Sequence, residues 1–505
     1  MTERRPGASL GVIAVVAFFI TMDVTIVNVA LPTIGGELRA STAGLQWVMD
    51  AYNISLAGLL LPGSALGERI GRKRTLLAGL MLFALGSLTA GISGTLAPLI
   101  ASRAVMGIGA AFLLTSALSL ISSLFPPEQR GHALGVWSGV GALGLALGPV
   151  AGGLLTSTLS WHWIFRINVP VMGVVFLAGL RLLPSGRGNV EGRPDLAGSL
   201  LSVAGLVMVL WTLIEGPERG WMRPEMPGVL AAGLLLLWGF VRRELRCRNP
   251  IFQIRVLRNR NVLGASLALF ATYVFFTGML FLVPQHLEAV ERAGTMTSGL
   301  ALVPFAVVVW IFSESSESLT RRLGATRILL GGLSAMVAGF AFLAATSHDM
   351  SLVPVMAGTC IGGMGFGLLI PAASVVILNA LPSELTGTAS GTSMIARFLG
   401  ASFGVALIGT LLAVLFQGAL TRDLAGSPAL ADLGGVRSVQ QALADAGRLP
   451  AGEAGAFMEA VRGSFERAAA LTYAVCAALM GLMVLVTGII LRGRPALKAG
   501  KERRR

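Results

Sequence analysis

Length, composition and charge place this chain among membrane proteins. Its 505 residues are 54% hydrophobic and only 13% charged, and its mean hydropathy is +0.77, which is more apolar than a soluble globular chain. The formal net charge of +14 does not indicate a nucleic-acid-binding protein, because the basic residues are scattered between apolar stretches. The three cysteines lie far apart in the sequence, which argues against a disulfide framework and against a metal site.

Fourteen apolar stretches approach the length of about 20 residues that a helix needs to cross a bilayer. They are 9–31, 45–63, 75–95, 97–124, 132–156, 163–183, 196–214, 227–246, 261–287, 297–319, 325–346, 351–381, 387–416 and 467–491. Most Lys and Arg residues fall in the loops that this count places inside, as the positive-inside rule requires when both termini are cytoplasmic. The sequence therefore predicts an all-α polytopic membrane protein.

Two of the inside loops indicate that the chain contains two related halves. Segments 64–74 and 317–327 both begin with small or polar residues and continue with arginine, glycine and arginine. Transporters commonly contain such repeats, with the substrate site between them near the midplane. We expect a six-helix bundle in 1–183, an inserted helix pair and cytoplasmic linker in 184–260, and a second six-helix bundle in 261–505. Residues 417–466 are predicted to form a long outer loop with one short helix.

Four motifs carry a resemblance to a known family. Three are segments: 22–32 in the first helix, 67–73 in the loop after the second, and 99–109 in the fourth. The fourth motif lies in the fifth helix and comprises Gly135, Gly144, Gly148, Pro149, Gly152 and Gly153. Together they resemble the major facilitator superfamily and, within it, the fourteen-helix drug:proton antiporters, in which the fifth-helix pattern is associated with export.

The resemblance implies a fold, an activity, partners and a cellular location. The fold would be that of the major facilitators, and the activity would be proton-coupled efflux of small amphiphilic, often cationic drugs or antibiotics by alternating access. The partners would be a small-molecule substrate, protons and the lipid bilayer, with no nucleic acid, no metal and no cofactor. The chain would act as a monomer in the cytoplasmic (inner) membrane, and the sequence does not say whether it needs an adaptor protein.

The glycines of the fifth helix also have a physical interpretation. Glycines three or four residues apart give a helix a flat face that another backbone can approach closely. Pro149 removes one backbone hydrogen bond inside this helix. A rigid seam and a hinge between rocking halves are both compatible with this pattern, and the resemblance favours the hinge.

The loop after the second helix is predicted to act as a cytoplasmic latch. The positive-inside rule alone explains part of its charge, but an acid beside several cations favours pairing with neighbouring helix ends that stabilises the outward-facing state. Where the family usually has Gly and Asp, this chain has Ser64 and Glu68. Near the inner end of the tenth helix, Glu314 and Glu317 beside Arg321 and Arg322 are predicted to form a solvated or latch-like pair. The predicted latch residues are Ser64, Glu68, Arg69, Gly71, Arg72, Glu314 and Glu317.

Charged residues inside the apolar stretches are the sharpest functional signal, because each costs about 2.5–3.5 kcal/mol at the centre of a spanning helix. A rise of about 1.5 Å per residue places Asp23, Asp50 and Arg103 in the outer third of the membrane. We predict that these three couple transport to protons. The alternatives are a purely structural pair between Asp23 and Arg103 and an Asp23 side chain that is hydrogen-bonded to backbone.

Further polar residues are candidates for the substrate cavity. Tyr52 and Asn53 neighbour Asp50, and Arg397 lies close to the midplane, where a lone cation is least tolerated and should face the interior. Glu288 falls at the outer end of the ninth helix, where it either extends an acidic exit path or is hydrated. The predicted cavity residues are Asp50, Tyr52, Asn53, Arg397 and Glu288.

Three other functions fit parts of the sequence. A dedicated exporter of one endogenous metabolite or antibiotic would share every motif and differ only in its cavity. A lipid translocator would have lateral openings or elongated outer helices. A membrane enzyme lacks support, because no constellation of His, Ser or Cys is present and no Walker loop indicates ATP hydrolysis.

Overall fold

The computed structural model describes residues 6–184, 196–247, 252–289, 294–347, 351–382, 385–424, 439–446 and 449–491. These residues form helices and short connections, with no strand among them. The first half comprises α1 (Pro6–Leu38), α2 (Thr42–Ile70), α3 (Arg72–Ala90), α4 (Leu96–Leu124), α5 (Pro127–Thr158), α6 (Trp163–Arg166) and α7 (Asn168–Leu182). A helix pair follows, α8 (Leu196–Arg219) and α9 (Glu225–Arg246), and then a 3-10 turn at Ile254–Arg258.

The second half comprises the remaining described helices. They are α10 (Arg260–Ala289), α11 (Thr295–Ala301), α12 (Val303–Leu323), α13 (Ala325–Ala345), α14 (Leu352–Asn379), α15 (Thr386–Leu424), α16 (Val439–Ala446) and α17 (Ala451–Leu491). We call α1–α7 the N-half and α10–α17 the C-half. The inner side is the side of the arginine-rich ends of α2 and α12, and the outer side is opposite.

Each predicted stretch coincides with a helix or with two consecutive helices, but the count of fourteen spans is not confirmed. By length and composition, twelve helices in the described part of the chain could cross a membrane. The predicted stretches outside these twelve are α2 and α3. Polar residues within α2 lower its hydropathy, and α3 begins with three cations in a helix of only 19 residues. Their spanning role stays a prediction.

A left-handed glycine makes the tight inner turn in each half. Gly71 (φ 104°) separates α2 from α3, and Gly324 (φ 87°) separates α12 from α13. The N–H of each glycine donates the last hydrogen bond of one helix, to the carbonyl of Gly67 or of Thr320. The same glycine is the N-cap of the next helix. Side chains with a Cβ rarely adopt such φ values, so the glycine in both similar loops has the same backbone role.

Each half has its own apolar core. The core of the N-half includes the fully buried Trp161, Phe83 and Phe165, and that of the C-half includes Phe275 and Phe340. A third, smaller cluster joins α2, α8 and α15. Within the helix pair, α8 therefore contacts both halves, whereas α9 packs mainly on α8.

The two halves meet on the outer side. In the described ranges, hydrogen bonds between the halves come from Gln46 and Thr33, both near the outer ends of their helices. Gln46 Nε2 donates to the carbonyls of Val405 (3.0 Å) and Ala406 (2.9 Å). The hydroxyls of Thr33 and Thr295 lie 3.4 Å apart. These contacts hold the two halves together on the outer side.

The prediction of an outer loop over 417–466 is wrong for most of the described residues. Helix α15 continues to Leu424, α17 begins at Ala451, and the predicted short helix is α16, with residues 425–438 and 447–448 outside the described part. Alanine favours helix, and the extended ends share an apolar core. That core includes Phe416, Leu420, Phe457, Val461 and Phe465.

Candidate functional site

A buried ion pair lies in the N-half, where Asp23 of α1 faces Arg103 of α4. Arg103 Nη1 donates to Asp23 Oδ2 at 2.5 Å, and both side chains are fully buried. Arg103 Nε donates to the carbonyl of Val48 (3.1 Å), and its guanidinium lies 4.3 Å from the centroid of the Tyr52 ring. The guanidinium is therefore held by a carboxylate, a carbonyl and an aromatic face.

Asp50 is a second buried carboxylate of the N-half, and it lacks a charged partner among the described residues. It lies on α2 about 12 Å from the outer end of the helix, is fully buried, and has no hydrogen bond to either oxygen among the described residues. The side chain of Asn53 approaches it, but its amide nitrogen does not complete a hydrogen bond of good geometry. A buried carboxylate without a partner is costly when charged, so Asp50 is suited to exchange a proton.

The predicted glycine face of α5 packs on α1. A Cβ on Gly144 would meet the carbonyl oxygen of Phe18, one on Gly148 would meet Thr25, and one on Gly152 would lie 2.6 Å from the carbonyl of Ile26. Two hydrogen bonds cross the same seam. Thr21 Oγ1 donates to Gly141 O (2.6 Å) and Thr25 Oγ1 to Leu145 O (3.2 Å).

The other members of the fifth-helix motif do not share this contact. A Cβ on Gly135 would meet nothing within 4 Å. Gly153 instead faces the C-half, where a Cβ would lie 3.0 Å from the Cα of Met296 at the start of α11. The carbonyl of Pro149 lies against Gly299 of α11. The motif therefore serves two surfaces, the α1 seam and the outer contact between the halves.

The C-half has a corresponding seam between α10 and α15. A Cβ on Gly400 would meet the carbonyl of Phe270, and one on Gly404 would meet the hydroxyl of Thr277. Thr277 Oγ1 donates to the carbonyl of Ala401 at 2.9 Å. Glycine and threonine therefore bring two helices together in both halves.

One residue of the predicted cytoplasmic latch contacts a neighbouring helix end, and its neighbour Lys73 contacts another. Arg72 Nη1 donates to the carbonyl of Ser119 in the last turns of α4 (2.7 Å), and Lys73 Nζ binds the carbonyls of Leu180 and Leu183 at the end of α7. Cations interact favourably with helix C-termini. Glu68 and Arg69 are exposed, and neither forms an ion pair within the described part of the chain, so the predicted pairing of Glu68 is not present here. Ser64 is half-buried near this end of α2.

The latch candidates of the C-half are solvated. Glu317 and Arg321 form an exposed pair at 3.0 Å within α12, and Glu314 is exposed one turn earlier. This matches the hydrated alternative for these residues. An exposed pair of this kind contributes little to stability.

Two predicted cavity residues lie in the C-half. Arg397 on α15 is half-buried, and its Nη2 donates to Ser374 Oγ on α14 at 2.7 Å. Glu288 is half-buried at the outer end of α10, with Oε1 lacking a hydrogen bond among the described residues. The structure does not bring them into contact with Asp50, and their assignment to one cavity stays a prediction.

Sequence reasoning missed His286 and Gln46. His286 on α10 is fully buried, with its ring centroid 5.7 Å from that of Phe465 on α17 and no hydrogen bond to either nitrogen among the described residues. Its position in an apolar helix was a usable signal. Gln46 carried no such signal, because its partners are backbone carbonyls of the other half.

The chain is similar to known transport proteins. The family model described as Major Facilitator Superfamily matches residues 13–405. The multidrug resistance protein Stp of Mycobacterium tuberculosis is 32% identical over 81% of this chain and 76% of its own length. The tetracenomycin C resistance and export protein of Streptomyces glaucescens is 30% identical over 99% of this chain and 94% of its own.

The fold is also similar to that of solved transporters. A bacterial homologue of the human lysosomal transporter Spinster, crystallised in an inward-facing and unoccupied conformation, superposes with a TM-score of 0.67. Its sequence identity is 16%, and the match covers 97% of this chain and 98% of that chain. At this identity the likeness concerns the fold alone.

Proposed function

The chain belongs to the major facilitator superfamily, and from this premise we propose that it exports small amphiphilic compounds in exchange for protons by alternating access. Its family is one of transporters that carry small molecules across a lipid bilayer. Its relatives are named as multidrug resistance, drug efflux and antibiotic export proteins, which supports efflux of such compounds. The proton gradient is the energy source, without a cofactor.

The observation that carries the proposal concerns three fully buried ionisable groups of the N-half: Asp23 and Arg103 form a pair, and Asp50 has no charged partner among the described residues. Arg103 and Asp23 neutralise one another, which leaves Asp50 as the carboxylate able to gain or lose a proton without breaking that pair. Protonation removes its burial cost and deprotonation restores it. A cationic substrate that approaches a deprotonated Asp50 competes with the proton, which is the exchange that antiport requires.

Glycine contacts between the two halves allow the accompanying movement. The halves touch on the outer side through backbone and small side chains, such as Gly299 against Pro149. In the mechanism that we propose, substrate binding and proton release on the inner side open this contact, and the cytoplasmic latch then closes. Substrate release and proton binding on the outer side restore the contact. The membrane potential supplies about 2.3 kcal/mol per charge per 100 mV for this cycle.

Gradient-driven dye movement tests the proposal. Purified protein in proteoliposomes should move a cationic dye when a proton gradient is imposed, and Asp50→Asn should abolish the gradient-driven component. Glu317→Gln is the matched control, because it also neutralises one carboxylate but at an exposed site. Dye movement that ignores the gradient in the unmodified protein would exclude antiport.

Lipid or lipoconjugate translocation is the second candidate, and one observation favours it. At about 1.5 Å per residue, α15 and α17 are about 58 and 61 Å long, roughly twice the 30 Å hydrocarbon core. Elongated outer helices could shield an acyl chain beyond the bilayer. Transfer of a fluorescent phospholipid between leaflets, measured beside dye movement, separates the two functions.

We further propose that the chain acts as a monomer in the cytoplasmic membrane, with both termini inside. The arginine-rich ends of α2, α9 and α12 support this orientation. Labelling of Cys introduced at Gly71 and at Leu159 should place these positions on opposite sides of the bilayer. Labelling from one side would contradict the threading.

A further inference from the structure

Arg397, which lies in the interior of the C-half, forms no ion pair among the described residues. Arg103 of the N-half pairs with Asp23, whereas Arg397 forms no ion pair among the described residues. Arg397 lies eleven residues into α15, about 16 Å from its inner end. An unpaired cation at this depth is costly.

Neighbouring contacts hold its guanidinium in place. Arg397 Nη2 donates to Ser374 Oγ at 2.7 Å, and the Ser374 hydroxyl donates to the carbonyl of Ile370 at 2.8 Å. Because the hydroxyl hydrogen of Ser374 is used in the bond to Ile370, its oxygen can only accept from Arg397. Arg397 Nε is buried and has no hydrogen-bond partner in the described ranges, so the arginine has an unused donor.

The flanking residues of α15 show which way Arg397 faces. On one side, Gly400 and Gly404 pack against α10. On the other side, Met394 and Phe398 pack against the core of the N-half. Around the axis of α15, Arg397 lies between these two contacts, and its half-exposed side chain reaches α14 next to the surface where α15 packs on the N-half.

An oxyanion fits this position. A guanidinium presents several N–H donors in a fork that suits carboxylate and phosphate, and such bonds are about twice as strong as neutral ones. We propose that Arg397, fixed by Ser374, binds the carboxylate or phosphate group of an amphiphilic substrate. This deepens the proposed function and rests on it, because it extends the substrates from cations to amphiphiles that carry an acidic group.

Binding of three matched probes to purified protein in detergent tests the subsite. The probes are a fluorescent long-chain carboxylate, its quaternary ammonium counterpart with the same ring and chain, and a fluorescent lysophosphatidate. The unmodified protein should bind at least one acidic probe, and Arg397→Gln should weaken that binding about tenfold or more. Binding of the quaternary ammonium probe should not weaken.

Three further variants control the comparison. Arg397→Lys should weaken acidic-probe binding less than Arg397→Gln does, because it keeps the charge but loses the fork. Ser374→Ala should weaken it in part and keeps the assay informative if Arg397→Gln does not fold. Arg422→Gln, an exposed cation near the outer end of α15, should change nothing.

The outcomes separate the two proposals. Equal weakening of acidic and cationic probes, or no acidic binding by the unmodified protein, would overturn the subsite. Tighter binding of the carboxylate would indicate that the acidic group belongs to a drug-like substrate. Tighter binding of the lysophosphatidate would indicate that it belongs to a lipid. Since binding needs no gradient, failure of proton-driven movement in proteoliposomes would count against antiport while the subsite stands on its own result.

Discussion

The N-half and the C-half use the same packing and opposite charge arrangements. In each half, glycines and threonine hydroxyls bring two helices together, α1 with α5 and α10 with α15. Asp23 neutralises Arg103 of the N-half, whereas Arg397 of the C-half is held, among the described residues, by the Ser374 hydroxyl. The two bundles therefore share a way of packing, and their arginines differ in whether a carboxylate neutralises them.

Removing each arginine should give the largest difference between the halves. Arg103→Gln leaves the Asp23 carboxylate buried and unpaired, so we expect a loss of about 3–5 kcal/mol in the free energy of unfolding. Arg397→Gln leaves no such group and should cost about 1 kcal/mol or less. Urea unfolding in mixed micelles measures both. The double variant Asp23→Asn/Arg103→Gln should recover much of the loss, and equal losses from the two single variants would refute the asymmetry.

Filling the two glycine seams should give the next largest effect. Gly148→Ala and Gly404→Ala each place a Cβ against a threonine hydroxyl and a backbone carbonyl of the facing helix, and overpacking costs about 1–3 kcal/mol. Thermal unfolding in detergent measures the loss. Gly139→Ala is the control, since its Cβ meets nothing within 4 Å, and it should be neutral or stabilising by about 0.5–1 kcal/mol. A loss in one seam alone would show that the seams are not equivalent.

Removing the threonine hydroxyls tests the seams more finely. Thr25→Val removes the bond to Leu145 O, and Thr277→Val removes the bond to Ala401 O. Each should cost about 0.5–1.5 kcal/mol, measured as above. Thr421→Val at the exposed outer end of α15, where the hydroxyl bonds only within its own helix, should cost less than either. If it costs as much, the bonds across the seams are not what stabilises them.

The smallest effect should come from the exposed pair of α12. Glu317→Gln removes an ion pair whose side chains are 74% and 72% exposed, and such pairs contribute about 0–1 kcal/mol. High salt should abolish even this difference. A substantial loss of transport in Glu317→Gln would instead mean that this residue pairs elsewhere during the cycle.

Hydropathy and motif spacing predicted much of the fold, because a spanning helix must be apolar and of fixed length whatever its neighbours are. The depth of Asp23 and Arg103 followed from the same rise per residue. Their pairing was one of several interpretations that the sequence allowed, because Asp23 could equally have bonded to backbone; the structure shows the pair. The division of the fifth-helix motif between α1 and α11 could not be predicted, because glycine spacing defines a flat face without naming the helix that covers it.

Other features depend on partners that are distant in sequence. Gln46 binds carbonyls more than 350 positions away, and a backbone acceptor leaves no trace in residue type. The outer ends of α15 and α17 had the polar, alanine-rich composition of a loop. They are helical because each covers the other's apolar residues, such as Phe416 and Phe465, whose ring centroids lie 6.1 Å apart.

The length of α15 gives it mechanical leverage. The same continuous helix carries Arg397 in the interior and ends at Leu424, about 40 Å further out, so a rotation of roughly 10° about Arg397 would shift that tip by about 7 Å. A small rotation of α15 near Arg397 would thus give a larger displacement at its outer end, near Leu424. A nanobody that binds the outer end of α15 should therefore restrain this helix and block the proposed transport cycle without entering the translocation path.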